Sequence, residues 1–332
     1  MKELALAGNP NSGKTSLFNI LTGSSQHVGN LPGVTVEKKS GLFRKNKEII
    51  IQDLPGIYSL SPYTSEEMVS RNYLLSGNAD AILDVVDATN LERNLYLSLQ
   101  LIETGIPVVL ALNMSDVVEK QGKWIDTTKL SYQLGVPVVA TSALKKTGID
   151  QVMQKVLREM ERTDETLYPV YDSHFEAALS EIIRILGNAV PQKQARFYAI
   201  KLFERDKELS EQLVLSDFQK TEIEDAIRIT EEIYTEDAET IVVNARYEFI
   251  ESAVKMALQA DVTKLSLSDK IDRIVTNRYL ALPIFALVMW LVYFLSIQTI
   301  GTMGTDWTND ILFGEWIPNG VKSLLEQLAV AD

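Results

Sequence analysis

Residues 8–15 read Gly-Asn-Pro-Asn-Ser-Gly-Lys-Thr, and the rest of the chain is organised around them. They follow an apolar run, Leu4-Ala5-Leu6-Ala7, and precede Ser16-Leu17-Phe18-Asn19-Ile20-Leu21, whose apolar residues recur at helical spacing. Strand, glycine-rich loop and helix in that order make a phosphate-binding loop. Gly8 and Gly13 permit a tight turn that aims backbone N–H groups inward, and the helix adds its positive N-terminal end. Lys14 is placed to reach β- and γ-phosphates, and the Thr15 hydroxyl to take a Mg²⁺ position. The predicted phosphate-contacting set is Gly8, Asn9, Pro10, Asn11, Ser12, Gly13, Lys14, Thr15 and Ser16.

Outward from this loop, residues 1 to about 162 alternate short β-type runs with helical stretches, the pattern of an α/β domain. Strands are predicted at Glu48–Gln52, Ala81–Val86, Val108–Leu112 and Val136–Ala140. Helices are predicted at Ser65–Leu75, Leu91–Glu103, Thr127–Leu134 and Ile149–Arg162. Val36–Phe43 turns through Lys45-Asn46 into the next strand, so a mostly parallel sheet with one antiparallel hairpin is expected.

Three more motifs follow strands. Asp53-Leu54-Pro55-Gly56 is a DxxG, in which a carboxylate holds a Mg²⁺ water and the Gly56 N–H meets a γ-phosphate. Asn113-Met114-Ser115-Asp116 supplies what a guanine edge demands, because a carboxylate accepts from N1–H and the 2-amino group, which adenine lacks. Ser142-Ala143-Leu144 offers a backbone N–H to guanine O6. Four motifs in this order predict a GTP-binding domain. Thr35, in the stretch from Gly29 through Gly33 and Val34, is the natural threonine to close over Mg²⁺ when a γ-phosphate is present. Lys14, Asn11, Thr35 and Gly56 form the expected catalytic set. The residue after DxxG is Ile57, which cannot orient water as a glutamine there does, so slow hydrolysis is expected.

Composition limits the alternatives. Lys+Arg 32 against Asp+Glu 45 leaves a net charge of −13, against a general nucleic-acid binder. Cysteine is absent and histidine limited to His27 and His174, which removes cysteine-ligated metal sites and histidine-rich ones. Met1-Lys2-Glu3 leads directly into the first strand, so the N-terminal part is expected to be cytosolic.

From about Tyr168 the strand signals stop, and apolar residues such as Phe175, Leu179, Ile182 and Leu186 recur at helical spacing. Several packed helices are expected, with loops near Gly187–Gln194 and Leu209–Asp217. The acidic run Glu222–Glu239 reads as a solvated helix face. A basic link containing Lys264, Lys270, Arg273 and Arg278 precedes Leu280–Ile300, which carries no charge and is long enough to cross a ~30 Å hydrocarbon core. The basic flank before it places the N-terminus inside. Expected boundaries are 1–165 for the nucleotide domain and 166–262 for the helical domain. A juxtamembrane link at 263–279, a span at 280–300 and an extracytoplasmic amphipathic segment at 301–332 follow.

The wording of several stretches is more specific still. GNPNSGKTSLFN (8–19), VGNLPGVTVE (28–37), DLPGIYSLSPYTSEE (53–67), VVDATNLERNLYLSLQL (85–101) and SDKIDRIVTNRYLALPIF (268–285) together resemble the N-terminal part of FeoB-type ferrous iron transporters. That resemblance implies a helical domain that strengthens GDP binding, and service in Fe²⁺ uptake at a bacterial inner membrane. It implies a partner as well, the family's further membrane helices, and it admits a homo-oligomer. Leu31 departs from the tryptophan that many members carry. The family is similar in turn to potassium-activated GTPases, which implies K⁺ held beside the phosphates by Asn11 and by backbone carbonyls around Gly29 and Leu31. The competing expectation is a membrane-anchored nucleotide switch that controls partner docking, with hydrolysis merely resetting it.

Overall fold

The computed structural model describes residues 1–23, 26–30, 37–61, 64–162, 168–260, 274–278 and 280–327. The chain divides into two units, Met1–Val262 and Thr263–Asp332.

The first unit opens with β1 (Lys2–Gly8), α1 (Lys14–Thr22), β2 (Gln26–Asn30), β3 (Glu37–Leu42) and β4 (Ile49–Asp53). It continues through α2 (Ser65–Leu75), β5 (Ala81–Asp87), α3 (Leu91–Glu103), β6 (Val108–Asn113) and α4 (Ser115–Lys120). Then come β7 (Lys123–Ile125), α5 (Thr127–Leu134), β8 (Val138–Ala140) and α6 (Ile149–Glu159). Seven strands form one sheet in the order β2-β3-β4-β1-β5-β6-β8. The pairs among β4, β1, β5, β6 and β8 are parallel, and β3 runs antiparallel to both β2 and β4. This is the mostly parallel fold of a P-loop GTPase.

The strand period of two decides which layer each side chain joins. Leu4 and Leu6 of β1 enter the core with Leu17, Phe18 and Leu21 of α1 and Val152, Met153 and Val156 of α6. Ala5 and Ala7 face the other way, into the core built by Leu95, Leu99 and Ile102 of α3 and Leu130 and Leu134 of α5. Both faces are covered, so the central strands are apolar along their length.

The helical part comprises α7 (Ser173–Leu186), α8 (Ala195–Phe203), α9 (Lys207–Gln212), α10 (Asp217–Tyr234) and α11 (Ala238–Ala257). Phe175, Leu179, Ile182, Phe203, Ile227 and Ile241 make its own core. Along α11, however, Ile250, Ala253, Val254 and Ala257 belong to the core shared with α3 and α5. Four of the acidic residues of α10 meet arginines: Glu224 and Glu231 pair with Arg205, and Asp225 and Glu232 with Arg228.

Four features differ from the sequence expectations. β2 is an added edge strand in which Gly29 pairs with Lys38, where a loop was expected. The three-residue strands β7 and β9 (Leu258–Ala260) pair antiparallel and are too short to leave a periodic signal. Leu209 lies in α9, capped by Asp206, within a stretch expected to be loop. In the second unit, the helix expected to end near Ile300 continues from Ala281 to Leu325, its charges (Asp306, Asp310, Glu315 and Lys322) all beyond Ile300. A π-helical turn at Phe294–Gly301 carries it past Ile300. Gly301 makes that turn possible, because a Cβ there would lie 2.2 Å from the Ser296 carbonyl oxygen.

One polar residue stands apart in the first unit. Asp84 of β5 is buried between Ala7 and Leu110 of the neighbouring strands, and the Ser98 hydroxyl donates to its Oδ2 at 2.5 Å. Burial raises its pKa to about 7, against the hydrogen bond that lowers it. The folded chain therefore binds this proton more tightly than the unfolded chain does. The stability tied to it is present at low pH and lost as pH rises through about 7. Asp84→Asn should remove this loss. In urea unfolding, the variant's stability minus the unmodified chain's is expected to grow between pH 4 and 8, on the order of 4 kcal/mol at most. A difference that does not change with pH would contradict the assignment.

Candidate functional site

The site lies where a doubly wound sheet places ligands, at the carboxyl ends of its parallel strands. Gly8 closes β1, Asp53 closes β4, Asn113 closes β6, and Thr141-Ser142 follows β8. Loops far apart in sequence are thereby brought to one edge.

The phosphate loop is built by backbone conformations that most residues avoid. Gly8 has φ +149° and Gly13 φ +89°. A Cβ on Gly8 would meet the Val85 carbonyl at 2.5 Å, and one on Gly13 would meet Asn113 Nδ2 at 2.1 Å. Asn11 is left-handed at φ 66°, which asparagine tolerates better than most residues, and it is exposed. Gly13 caps α1 without a side-chain hydrogen bond, so the first N–H groups of that helix face the loop. Among the described residues, Ser12 Oγ and Asn9 Nδ2 are buried in the same turn without a hydrogen-bond partner. Buried orphan groups are rare in a folded chain, and two in one glycine-rich turn are what a polar ligand would satisfy.

Lys14 and Asp53 are both nearly buried and form an ion pair. Thr15 and Ser16 are exposed on the first turn of α1, and Leu54 is in the core. Past Pro55, the DxxG turn lies against the phosphate loop: a Cβ on Gly56 would sit 3.2 Å from Pro10 Cα. The Ile57 N–H donates to the Gly8 carbonyl at 3.4 Å. The Ile57 side chain packs into the α3 core beside Leu54 and Leu60, so its identity serves packing. Gly29 lies in β2; Leu31, Gly33, Val34 and Thr35 fall outside the described residues.

Asn113 joins the two halves of the site. Its Nδ2 donates to the Ser12 carbonyl at 2.8 Å, and its Oδ1 accepts from the Ala143 N–H at 2.9 Å. Met114 is left-handed at φ 60° and starts α4, setting Asp116 in the first helical turn. Asp116 faces the Ser142 hydroxyl and the Lys145 ammonium, whose Nζ is 3.4 Å from Oδ2; these partners hold its carboxyl below the ordinary value. Leu144 is exposed at the tip of the loop. Lys145 was not singled out from the sequence. Its signal there is weak, a basic residue directly after Ser-Ala-Leu.

Comparison with known proteins now bears on the same residues. Residues 2–156 match the family described as ferrous iron transport protein B, and residues 171–259 the FeoB cytosolic helical domain. A GDP-bound mutant of the S. thermophilus FeoB G-domain superposes with TM-score 0.77 at 65% identity, covering 78% of this chain and 100% of that one. The chain belongs to the FeoB family. NFeoB from S. thermophilus with mGMPPNP bound gives TM-score 0.71 at 66% identity, covering 77% of this chain and 97% of that one. Among full-length relatives, the Fe(2+) transporter FeoB of Escherichia coli K12 is 38% identical over 316 residues, 91% of this chain and 40% of that protein. The Fe(2+) transport protein A/FeoB fusion protein of Porphyromonas gingivalis is 42% identical over 323 residues, 92% of this chain and 38% of that protein. The chain thus spans about two fifths of the FeoB relatives it matches. Its G domain is that of a GTPase family.

Proposed function

We propose that this chain is the GTP-binding and GTP-hydrolysing regulatory part of a ferrous iron transporter, in which hydrolysis is coupled to, or gates, Fe²⁺ uptake. The observation that carries the proposal is the meeting of Lys14, Asp53, Asn113 and Asp116 at one edge of the sheet, supplied by the ends of three strands, β1, β4 and β6. In this role the loop N–H groups and Lys14 hold the phosphates, and the ammonium exchanges Asp53 for the β- and γ-oxygens. Asp116 accepts from the guanine N1–H and 2-amino group. Because the Ala143 N–H is given to Asn113, the outward donor toward guanine O6 is the next N–H, that of Leu144. Asn113 acts by positioning rather than by reading the base.

Asp53 and Thr15 are the described residues that fit Mg²⁺, a carboxylate and a hydroxyl flanking Lys14, with Thr35 the expected third. When bound, Mg²⁺ offsets negative charge on the phosphates. Asn11 is proposed to hold K⁺, since its exposed amide stands on the phosphate loop; the Gly29 and Leu31 carbonyls complete the proposed set. An ion there takes the charge-offsetting task that an arginine finger performs elsewhere. It would also account for activity with Ile57 committed to the core.

The proposed organisation keeps the boundaries 1–165, 166–262, 263–279, 280–300 and 301–332. Among the described residues, one helix, Ala281–Leu325, is long and apolar enough to cross a membrane, and none of its described side chains is buried within its unit. Lys264, Lys270, Arg273 and Arg278 before it favour a cytoplasmic side for the first unit and a bacterial inner-membrane location. The remaining transporter helices and Fe²⁺ would be its partners. A second reading, a membrane-anchored switch whose hydrolysis only resets it, is favoured by the burial of Ile57, which leaves the DxxG turn without a side chain to orient water.

Two measurements test these assignments. Asp116→Asn should weaken GTP binding roughly ten- to a hundredfold, the effect of a lost charged hydrogen-bond pair of about 1.5–3 kcal/mol. The variant should also accept xanthine nucleotides, whose 2-oxo group wants a donor. Unchanged GTP affinity in a titration would remove this loop from base recognition. Separately, GTP turnover at matched ionic strength should be faster in KCl than in NaCl, by less than the ~10³–10⁵ of an arginine finger. Asn11→Ala should abolish the difference while GTP binding is largely kept. Equal rates in both salts for the unmodified chain would discard the cation mechanism.

A further inference from the structure

The sheet ends at β8, which is bonded to β6 alone. The Leu110 N–H donates to the Pro137 carbonyl at 2.9 Å, and the Thr141 N–H to the Leu112 carbonyl at 2.8 Å. Pro137 and Thr141 therefore face β6, and so does Val139 between them, because backbone groups alternate sides along a strand. The N–H and C=O of Val138 and the N–H of Ala140 point outward, with no hydrogen-bond partner among the described residues. An unpaired row of this kind is a template for one more strand.

A groove of about 340 Å³ runs along this edge. Val138–Ala140 form its floor, with Thr127 of α5 on one side and Gln151, Gln154, Lys155 and Arg158 of α6 on the other. The four α6 residues share one helix face, while Val152, Met153 and Val156 turn into the core. From Gln151 to Arg158 is about 10 Å along the helix axis, the length of three extended residues at about 3.3 Å each. The groove is also electrostatically one-sided. Lys155 and Arg158 are exposed and form no ion pair among the described residues, in a chain whose net charge is −13. Both carboxylates of α6 are engaged elsewhere, Asp150 with Lys45 and Glu159 with Arg162. Asp126, at the start of α5, is occupied too: its Oδ1 accepts from the Thr128 and Lys129 N–H groups, both at 3.1 Å.

We propose that the β8 edge is a docking site for an acidic, extended segment of a partner protein, which adds to the sheet as a further strand. Main-chain hydrogen bonds to Val138 and Ala140 supply the affinity, and side chains alternating across the added strand supply the specificity. Those on the α6 side are carboxylates, met by Lys155 and Arg158. Those on the α5 side are small or β-branched, because Thr127 and Ala140 stand there. A neutral or basic segment would leave both cations unpaired. Neither cation belongs to the nucleotide site, so the two functions are separable by mutation.

The test uses the full chain in detergent with GDP, and a fluorescent seven-residue peptide that alternates glutamate with valine. Binding, read by anisotropy, should slow hydrogen exchange within residues 136–141 at least about fivefold, since it pairs the Val138 and Ala140 amides. Lys155→Glu combined with Arg158→Glu should weaken peptide binding at least about tenfold while GDP affinity is kept. A peptide of the same charge, methylated on every backbone nitrogen, should also bind at least about tenfold more weakly, because it has no donors for the ladder. No binding of the alternating peptide up to about 1 mM would overturn the proposal. So would equal binding of the methylated peptide, or binding unchanged in the double variant. Protection of residues 136–141 that grows with protein concentration in the absence of peptide would overturn it in another way, by assigning the edge to a second copy of this chain.

Discussion

The Asn113 side chain is the contact on which the rest of the site depends. Its two amide atoms are spent on two backbone groups, the Ser12 carbonyl and the Ala143 N–H, so loops some 130 residues apart in sequence share one side chain. Gly13 must be glycine for the same reason, since any Cβ would strike that amide. A buried amide that satisfies both neighbours is costly to disturb, because removing it leaves a carbonyl and an N–H unpaired together. The phosphate half and the proposed base half are thus held at a fixed separation before any ligand arrives, which is what preorganised recognition requires.

Much of this was legible in the sequence because each signal is local. Gly8, Gly13 and Lys14 between an apolar strand and an amphipathic helix define a phosphate loop without reference to anything distant. Asp53, Asn113 and Ser142 each follow a buried strand, and parallel strand ends converge by topology alone. Helices α2, α3 and α5 begin and end where the sequence ranges place them, and the structure adds a Thr64–Glu67 capping box at the start of α2. What escaped was non-local. The commitment of Asn113 and of the Ala143 N–H to each other cannot be seen from either motif alone. Nor can the burial of Ile57, whose place in the core depends on Leu60, Leu54 and α3 meeting there. Strands β7 and β9, three residues each, carry no period to read, and β2 is an edge strand whose pairing is set by β3.

The helical domain extends the same logic. Its last helix is shared with the core of the G domain through Ile250, Ala253 and Val254, and a neutral set of four charges, Glu103, Lys201, Glu204 and Arg246, fixes the seam. Apolar packing supplies the adhesion, and the charged set supplies register, because its members cannot slide past one another without leaving a charge unpaired.

The most direct test of the Asn113 constraint is the affinity for GDP of the unmodified chain and of Asn113→Ala, measured by calorimetry alongside thermal unfolding of both. If the asparagine holds the two halves of one nucleotide site together, GDP affinity should fall by tenfold or more in a protein that still unfolds cooperatively. A folded Asn113→Ala that binds GDP within about twofold of the unmodified chain would contradict it, and would mean that the phosphate and base loops keep their separation without the bridge.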